Sequence, residues 1–372
     1  MTTRRTFIAG AAAGVAAGAA LAAVAAAPAA AQNLRPLPMN KPGGRYRPPM
    51  RVGMGGTQVC GNFFPTGPEK AAAALESAWA NGVRYYDTSP WYGLGLSERR
   101  FGAFLQDKPR EDYVISTKVG RLLKPDQSVA GSKVGNWAEV PPFKHVYDYT
   151  AEGTRRSIED SLQRLGIASL DIVFIHDLSP DNKDLGDYAA KLEEAKKGAM
   201  PELTRMREQG LIKAWGLGVN TLEPALAAFE AADPDIILSA TQYSLIKHED
   251  ALKRLMPLAE KRGASVVVGA PLNAGFLAGK ARYDYAGKIP AGALEKRARI
   301  MEIAARHATD MRTVALHFAA AHPVVSAIIP GARDAAQAAE NAGSMRMTLA
   351  PEIWRELREA KIISTDAPVP EA

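Results

Sequence analysis

Eight short runs of β-type residues recur along the chain from Met50 onward, and stretches with helical periodicity separate most of them. The runs read MRVGMGG, VRYYDTS, YVISTKV, DIVFIHD, AWGLGVN, IILSATQYS, SVVVGAPL and VSAIIPGA. Several helical stretches end at a glycine, such as Gly82, Gly166 and Gly263, where a left-handed residue commonly stops a helix. This alternation predicts one α/β domain, a (β/α)₈ TIM barrel over residues 50–372.

A doubly wound parallel sheet is the alternative fold. That fold would need a glycine-rich turn leading directly from the first strand into a helix. Here VGMGG is followed by a long polar loop, and the glycines do not have the G-x-G-x-x-G spacing. The barrel is therefore the favoured fold.

Residues 1–31 have the organisation of an export signal. Arg4 and Arg5 precede an apolar run rich in alanine and glycine, and a small-residue cleavage site follows in PAAAQ. The Arg-Arg-x-Phe-Ile pattern resembles a twin-arginine leader, which directs folded proteins to the twin-arginine export machinery. A membrane anchor is the alternative, but the run is weakly hydrophobic and a cleavage site follows Ala31. We expect a twin-arginine signal peptide, no stable membrane anchor and a periplasmic protein, with the cytoplasm as the alternative location.

The segment after the leader, residues 32–49, is rich in proline and glycine and has no hydrophobic period. It predicts a linker or an arm lying on the surface. The net charge of +6 is modest, and the lysines and arginines are interleaved with acids, so nucleic acid is not an expected partner. Cys60 is the single cysteine, which excludes an intramolecular disulfide and a cysteine-rich metal cluster. The histidines lack metal-ligand spacing, so we expect no metal.

The C-terminal ends of the predicted strands carry a set of polar residues. Catalytic residues of such barrels lie at these ends, around one rim. The second strand ends at Asp87, with Tyr92 five positions later, the third carries Lys118 and the fourth ends at His176. Each position alone is weak evidence, but all four together predict a catalytic site.

These four side chains form a coherent acid–base system. A tyrosine phenol has a pKa of about 10, which a nearby ammonium lowers by stabilising the phenolate. Lys118 can supply that ammonium, and Asp87 can keep the buried lysine charged. His176 can hydrogen-bond a substrate oxygen and orient it. We therefore expect Tyr92 to exchange a proton with the substrate, with its pKa lowered by Lys118.

The sequence resembles the aldo-keto reductase superfamily over essentially all of residues 50–360. The matching stretches are YYDTSPWYGLGLSE, YVISTKVGR, SLQRLGIASLDIVFIHD, REQGLIKAWGLGVN, TQYSL and AIIPGARDAAQAAEN. GLGLSERR, STKVGRLL, IHD and GAPLNAGFLAG are most similar to the aldose 1-dehydrogenase branch, which includes L-fucose, D-threo-aldose and pyridoxal 4-dehydrogenases.

The resemblance implies a metal-free NAD(P)-dependent oxidoreductase with a small-molecule sugar or aldehyde substrate. It would oxidise the anomeric C1 hydroxyl of an aldose to the lactone, with Tyr92 taking the proton, or catalyse the reverse carbonyl reduction. A general aldehyde or pyridoxal dehydrogenase on the same site is the alternative. A non-catalytic, cofactor-sensing interaction protein, like the potassium-channel β-subunits of this fold, is an alternative of another class. The intact catalytic set and the export leader argue against it.

The resemblance also implies which residues hold the cofactor. They are Asn220, Gln242, Pro271, Leu272, Ile329, Gly331, Arg333, Gln337, Glu340 and Asn341. Two positions depart from the family pattern. Val219 replaces a serine that usually precedes Asn220 and binds the nicotinamide carboxamide, and Gly269 replaces a tyrosine that many members place under the nicotinamide ring.

The loop after the eighth strand and the following helix N-terminus predict a phosphate site. NADP-preferring members usually have a lysine and an arginine where this chain has Gly331 and Gln337, and Arg333 is the cation offered instead. Arg333 could pair with a 2′-phosphate or stack on adenine. We therefore expect both NAD and NADP to be accepted, with weak discrimination.

Substrate contacts are expected from aromatic residues near the catalytic rim. The long segment after the third strand contains Trp137, and Trp91 precedes the candidate tyrosine. Long loops on this face of a barrel often form substrate walls. Together with Met54 at the end of the first strand, these residues are the predicted substrate contacts.

Overall fold

The computed structural model describes residues 35–285 and 288–370. The predicted signal peptide, residues 1–31, and the first three residues of the predicted arm lie outside the described residues. Within the described part of the chain, no helix is both long and apolar enough to cross a membrane.

Eight parallel strands form a closed barrel, which confirms the predicted fold. In barrel order they are β1 (Met54–Gly55), β2 (Tyr85–Asp87), β3 (Val114–Val119), β6 (Ile172–His176), β7 (Ala214–Val219), β8 (Ile236–Ala240), β9 (Ser265–Gly269) and β10 (Val325–Ile329). The ring closes where the Gly53 N–H donates to the Ile328 carbonyl at 2.8 Å and the Ile328 N–H donates to the Arg51 carbonyl at 3.0 Å.

Helices surround this barrel. They are α1 (Pro68–Ala80), α2 (Leu96–Leu105), α3 (Ala151–Leu165), α4 (Tyr188–Lys197), α5 (Ala199–Glu208), α6 (Glu223–Ala231), α7 (Met256–Lys261), α8 (Ala293–Arg306), α9 (Met311–Ala321), α10 (Ala335–Ser344) and α11 (Pro351–Glu359). Gly166 directly follows α3 with φ +65°, and Gly82 follows α1 with φ +84°. These left-handed positions explain why both helices end where the glycines predicted.

An antiparallel hairpin interrupts the segment after β3, which the sequence analysis treated as a long loop. Its strands are β4 (Arg121–Pro125) and β5 (Phe143–Tyr147), paired from Arg121 with Tyr147 to Pro125 with Phe143. The prediction missed them because the burial of β4 does not alternate and both strands carry prolines or charges at exposed positions. The hairpin places aromatic residues above the catalytic end of the barrel.

The core has two layers, as expected for strands covered on both faces. Inside the barrel, Tyr85 and Phe174 pack with small and branched side chains from neighbouring strands. Between the strands and helices lies a larger apolar cluster that includes Tyr86 and Trp215. Consecutive tyrosines therefore face opposite layers, which follows from the two-residue period of a strand.

Residues 35–49 pack against the N-terminal end of the barrel through specific contacts. Tyr46 packs against the interior cluster, and Leu37 is buried. The Asn40 side-chain amide donates to the Ser326 carbonyl at 2.7 Å, and Arg45 forms ion pairs with carboxylates that include Asp235. This part of the predicted arm is thus held against the barrel and closes its N-terminal end.

Candidate active site

The structure places the four predicted catalytic side chains at one end of the barrel. Asp87 ends β2, Lys118 lies in β3, His176 ends β6, and Tyr92 lies in the loop between β2 and α2. The Lys118 Nζ lies 2.7 Å from Asp87 Oδ2, and both side chains are almost completely buried. The ring of Tyr92 contacts the Lys118 ammonium and the imidazole of His176.

All three N–H donors of Lys118 are used within the site. They are donated to Asp87 Oδ1 at 2.9 Å, to Asp87 Oδ2 at 2.7 Å and to the Thr88 carbonyl at 2.8 Å. Ser116 Oγ also donates to Asp87 Oδ1 at 2.7 Å. Burial lowers the pKa of Lys118, and the carboxylate of Asp87 opposes that shift.

The environment of Tyr92 reverses the predicted direction of its pKa. Burial raises the pKa of the phenol well above 10, and the negative charge of Asp87 raises it further. The Nζ of Lys118 lies 4.4 Å from the centroid of the Tyr92 ring, but its donors are all held by other acceptors. The predicted lowering by Lys118 is therefore wrong for the protein alone, and Tyr92 is a protonated phenol at neutral pH.

His176 is neutral. Burial lowers the pKa of its imidazole well below 6.5, and the positive charges of Arg121 and Lys118 add to that effect. The Nδ1 atom lies 3.0 Å from Ser89 Oγ, which itself accepts the Trp91 N–H. With the Ser89 hydroxyl donating to Nδ1, Nε2 carries the ring proton and can donate it in a hydrogen bond.

A cavity of about 270 Å3 opens over these groups. Tyr92, Lys118 and His176 line it, together with the predicted substrate residues Trp91 and Trp137. The two indole rings meet edge to face at 5.9 Å between centroids, so they form a rigid aromatic wall.

The prediction for Met54 is wrong. Its side chain is 2% exposed, packs in the cluster between the barrel and the helices, and lines neither cavity of the site. Met54 lies in a strand of only two residues. Because side chains alternate between the two faces of a strand, a shift of one residue is enough to turn a side chain from the cavity to the core.

A larger cavity of about 600 Å3 extends from Asp87 and Tyr92 to the start of α10. Eight of the ten predicted cofactor residues line it: Pro271, Leu272, Ile329, Gly331, Arg333, Gln337, Glu340 and Asn341. Tyr92 lines both cavities and so marks the point where they meet.

The other two predicted cofactor residues lie elsewhere. Asn220 lines the smaller cavity, and its Nδ2 donates to Asp177 Oδ1 at 3.3 Å. Gln242 lines neither cavity and donates from Nε2 to the Asn220 carbonyl and to Thr241 Oγ1. Gln242 therefore holds the backbone of Asn220 in place and does not line the space that a cofactor would occupy.

The larger cavity fits an extended anionic molecule such as a dinucleotide. Four cationic side chains line it, namely Lys280, Arg282, Arg312 and Arg333. Arg333 donates from Nη2 to Gln58 Oε1 at 3.1 Å, while its buried Nε has no hydrogen-bond partner among the described residues. A buried donor without a partner favours an incoming acceptor, such as a phosphate oxygen. Asp334 caps α10 by accepting the Gln337 N–H, which orients the helix start toward this cavity.

Several residues of this cavity were missed by the sequence analysis. They are Thr57, Gln58 and Asn62 after β1, Lys280, Arg282 and Tyr285 after β9, and Arg312 in α9. The basic residues of KARYDY, after the seventh barrel strand, could have identified part of this lining from the sequence, since loops at this end of a barrel contact ligands. Tyr285 lines both cavities, and Gly269, where the expected tyrosine is absent, lines the larger one.

The described residues contain no group of three or more histidine, cysteine or acidic side chains arranged to hold a metal ion.

Sequence comparison identifies the family to which this site belongs. Residues 51–362 match the aldo/keto reductase family. This chain is an aldo/keto reductase. It is 34% identical over 322 residues to a D-threo-aldose 1-dehydrogenase of a Pseudomonas species, covering 84% of this chain and 94% of that protein. It is also 34% identical over 328 residues to a pyridoxal 4-dehydrogenase of Microbacterium luteolum, covering 84% and 94% respectively.

Solved structures of other aldo-keto reductases share the fold. The holo form of an enzyme from Bacillus halodurans superimposes with a TM-score of 0.63 at 21% identity, covering 87% of this chain and 94% of that one. An aldo-keto reductase from Klebsiella pneumoniae in complex with NADPH gives a TM-score of 0.59 at 20% identity, with 87% and 95% covered. This chain is thus an aldo/keto reductase both in sequence and in fold.

Proposed function

We propose that this oxidoreductase oxidises the anomeric hydroxyl of an aldose to the lactone, with NAD or NADP as the hydride acceptor, and that it can catalyse the reverse carbonyl reduction. The position of Tyr92 carries the proposal. Its ring lies between the buried Asp87–Lys118 pair and neutral His176, at the junction of a small and a large cavity. A proton-exchanging group at such a junction can act on a substrate in one cavity while hydride crosses to the other.

The cofactor, when bound, supplies a nicotinamide that accepts or donates hydride. The remaining steps belong to side chains of this chain. His176 donates from Nε2 to the reacting oxygen and orients it, and Tyr92 takes the hydroxyl proton as the C1–H bond breaks and the C1=O bond forms. In the reverse direction Tyr92 returns that proton to the carbonyl oxygen.

Because the pKa of Tyr92 is raised, oxidation and reduction should depend differently on pH. Reduction uses the protonated phenol, which is the form that burial and Asp87 favour. Oxidation uses the phenolate, which a positively charged oxidised nicotinamide nearby would stabilise. We therefore expect oxidation to require alkaline conditions and reduction to proceed at neutral pH.

The dimensions and walls of the smaller cavity support a sugar-sized substrate. It has about 270 Å3 of space, an aromatic wall and polar groups on its floor. The Pseudomonas relative named for an aldose supports the same choice. Pyridoxal is the second candidate, because the flat faces of Trp91 and Trp137 can also stack on a pyridine ring and because the other relative is named for that substrate.

An initial-rate screen tests the proposal. Purified protein is assayed with pentoses, hexoses, pyridoxal and simple aldehydes, each with NAD and NADP in both directions, and Tyr92→Phe serves as the control for the site. Aldose oxidation that Tyr92→Phe abolishes supports the proposal. Turnover of pyridoxal or simple aldehydes alone favours the second candidate, and cofactor binding without turnover of any compound favours a non-catalytic role.

We also propose that residues 1–31 direct export of the folded enzyme to the periplasm. The proposal rests on Arg4 and Arg5 and on the cleavage site after Ala31. Cell fractionation of the unmodified protein and of the Arg4→Lys, Arg5→Lys double variant tests it. Mature protein in the periplasm for the former and precursor in the cytoplasm for the latter supports export, whereas full-length cytoplasmic protein in both cases overturns it.

A further inference from the structure

Asp177, the residue after His176, lies at the wall of the smaller cavity. Its backbone is left-handed, with φ +44°, and two hydrogen bonds hold that conformation. Its N–H donates to the Gly218 carbonyl at 2.9 Å, and its carbonyl accepts from Asn182 Nδ2 at 3.0 Å. Aspartate tolerates this backbone conformation better than most residues, and here it accompanies a carboxylate that lines the substrate space.

Arg121 holds the carboxylate of Asp177 in a defined position. Its Nη2 lies 3.0 Å from Asp177 Oδ2, and the arginine side chain is 4% exposed. The guanidinium lies 4.9 Å from the ring centroids of both Trp91 and Tyr147, and it donates to the Tyr147 hydroxyl. A charge buried this deeply requires a partner, so Arg121 and Asp177 form one unit with a defined orientation.

The carboxylate keeps acceptor capacity for a ligand. Oδ2 forms the ion pair with Arg121, and Oδ1 accepts from Asn220 Nδ2 at 3.3 Å. A carboxylate has about four lone-pair sites, so further hydrogen bonds can be accepted. The side chain is 15% exposed and lines the smaller cavity. A neutral hydroxyl is the partner that this arrangement favours, because a carboxylate repels an anion.

We propose that Asp177 is a specificity-determining residue that accepts a hydrogen bond from the hydroxyl on the carbon next to the reacting carbon. The inference rests on the proposed function, which places the reacting oxygen of the substrate at His176 Nε2. Asp177 Oδ2 is 3.5 Å from that nitrogen, so the two groups are spaced to bind neighbouring oxygens of one molecule. Vicinal hydroxyls are the defining feature of an aldose and are absent from simple aldehydes.

Two sugars that differ only at C2 test this inference. D-Arabinose and 2-deoxy-D-ribose have the same configuration at C3 and C4, so their kcat/KM ratio measures the contribution of the C2 hydroxyl. The unmodified enzyme should prefer D-arabinose. Asp177→Asn should lower kcat/KM for D-arabinose by roughly 10- to 100-fold, the range for losing a hydrogen bond to a charged group, and leave that for 2-deoxy-D-ribose within about threefold.

Asp181→Asn is the matched control, since it removes the same charge from an exposed position four residues along the same loop. It should leave both constants unchanged. Because Asp177→Asn leaves Arg121 buried without a counter-charge, Asp177→Asn with Arg121→Gln is a second variant, and it should also lose the preference for the C2 hydroxyl. Binding of NADPH, followed by fluorescence, verifies that each variant is folded.

Equal losses on both sugars would overturn the inference, since Asp177 would then act through His176 or through folding. If the unmodified enzyme oxidises neither sugar, the proposed function fails for this pair of substrates. The inference is then tested by reduction of glyceraldehyde and 3-hydroxypropanal, which differ by the same C2 hydroxyl. A preference for glyceraldehyde that Asp177→Asn abolishes supports it, and an unchanged ratio overturns it.

Discussion

Both ends of the barrel bury carboxylates beside cations, but the two ends do so differently. At the N-terminal end, Asp171 and Asp235 directly precede β6 and β8. At the C-terminal end, Asp87 and Asp177 lie at or just beyond the ends of β2 and β6. The cations that face the first two carboxylates come from the surface, whereas those that face the other two are themselves buried.

The N-terminal carboxylates connect neighbouring elements. Asp171 Oδ2 accepts from Arg110 Nη2 at 2.7 Å and from the Ile115 N–H at 2.9 Å. Lys213 also lies 2.7 Å from Asp171, and its side chain is 58% exposed. Because backbone N–H groups and partly solvated cations share the charge, these sites need no ligand. They stabilise the packing between strands.

The C-terminal carboxylates are held in closed pairs beside the cavities. In the Asp87–Lys118 and Asp177–Arg121 pairs, no side chain is more than 15% exposed. Such pairs contribute little net stability, since the loss of hydration offsets their attraction. Burial displaces the pKa values of Asp87, Lys118 and Asp177. Lys118 and Asp177 line the smaller cavity. The comparison indicates that the carboxylates at one end stabilise the packing of strands, whereas those at the other end hold buried charge beside the cavities, as is common at functional sites.

The largest effect is expected from Tyr92→Phe at the C-terminal end. The variant keeps the ring and deletes the exchangeable proton, so kcat should fall by about 100- to 10,000-fold. Tyr113→Phe, which changes a tyrosine just before β3 at the opposite end, should retain the kcat of the unmodified enzyme. Steady-state rates and cofactor binding measure both. More than a tenth of the original rate in Tyr92→Phe would contradict the role of this residue.

Replacing one lysine at each end compares the two kinds of carboxylate site directly. Lys118→Met leaves Asp87 buried without its cation, so the free energy of unfolding should fall by about 3–5 kcal/mol, and catalysis should be largely lost. Lys213→Met leaves Asp171 with Arg110 and the Ile115 N–H, so the loss should not exceed about 1 kcal/mol. Urea denaturation measures both, and equal losses would remove the distinction between the two ends.

Arg333→Ala tests the far part of the larger cavity. The apparent KM for NADP should rise by roughly 10- to 100-fold, the range for losing one charged hydrogen bond, and that for NAD should change much less because NAD lacks the 2′-phosphate. Initial rates at varied concentrations of each cofactor give the comparison. Equal effects on both cofactors would show that Arg333 does not contact the 2′ position.

The pH dependence should distinguish oxidation from reduction. Since the pKa of Tyr92 is raised well above 10, the phenolate fraction increases with pH across the neutral range, and oxidation should accelerate by up to about tenfold per pH unit. Reduction uses the phenol and should stay level up to about pH 9. Rates from pH 6 to 10 measure this, with the residual rate of Tyr92→Phe as the pH-independent baseline. A level oxidation profile would mean that Tyr92 is not the titrating base.

The alternation of eight β-type runs with helical periods was enough to predict the closed parallel barrel. Catalytic groups of such barrels lie at the C-terminal ends of the strands, and this rule selected Asp87, Lys118 and His176. A residue at a strand end lies on the catalytic rim even when the other residues of the site are far away in the sequence. Family resemblance added eight of the residues that line the larger cavity. All of these predictions depend on local pattern or on sequence position, both of which are read directly from the chain.

Tertiary structure alone decided what each side chain faces. In the folded chain all three donors of Lys118 are bound by acceptors, and the side chain of Met54 lies in the core. The pKa of Tyr92 is raised, although the sequence predicted a lowering. Tertiary structure also paired Arg121, from a hairpin that the sequence did not reveal, with Asp177, which directly follows β6. Desolvation, hydrogen-bond direction and ion pairing depend on distances between segments remote in sequence, so they are determined only when the barrel closes.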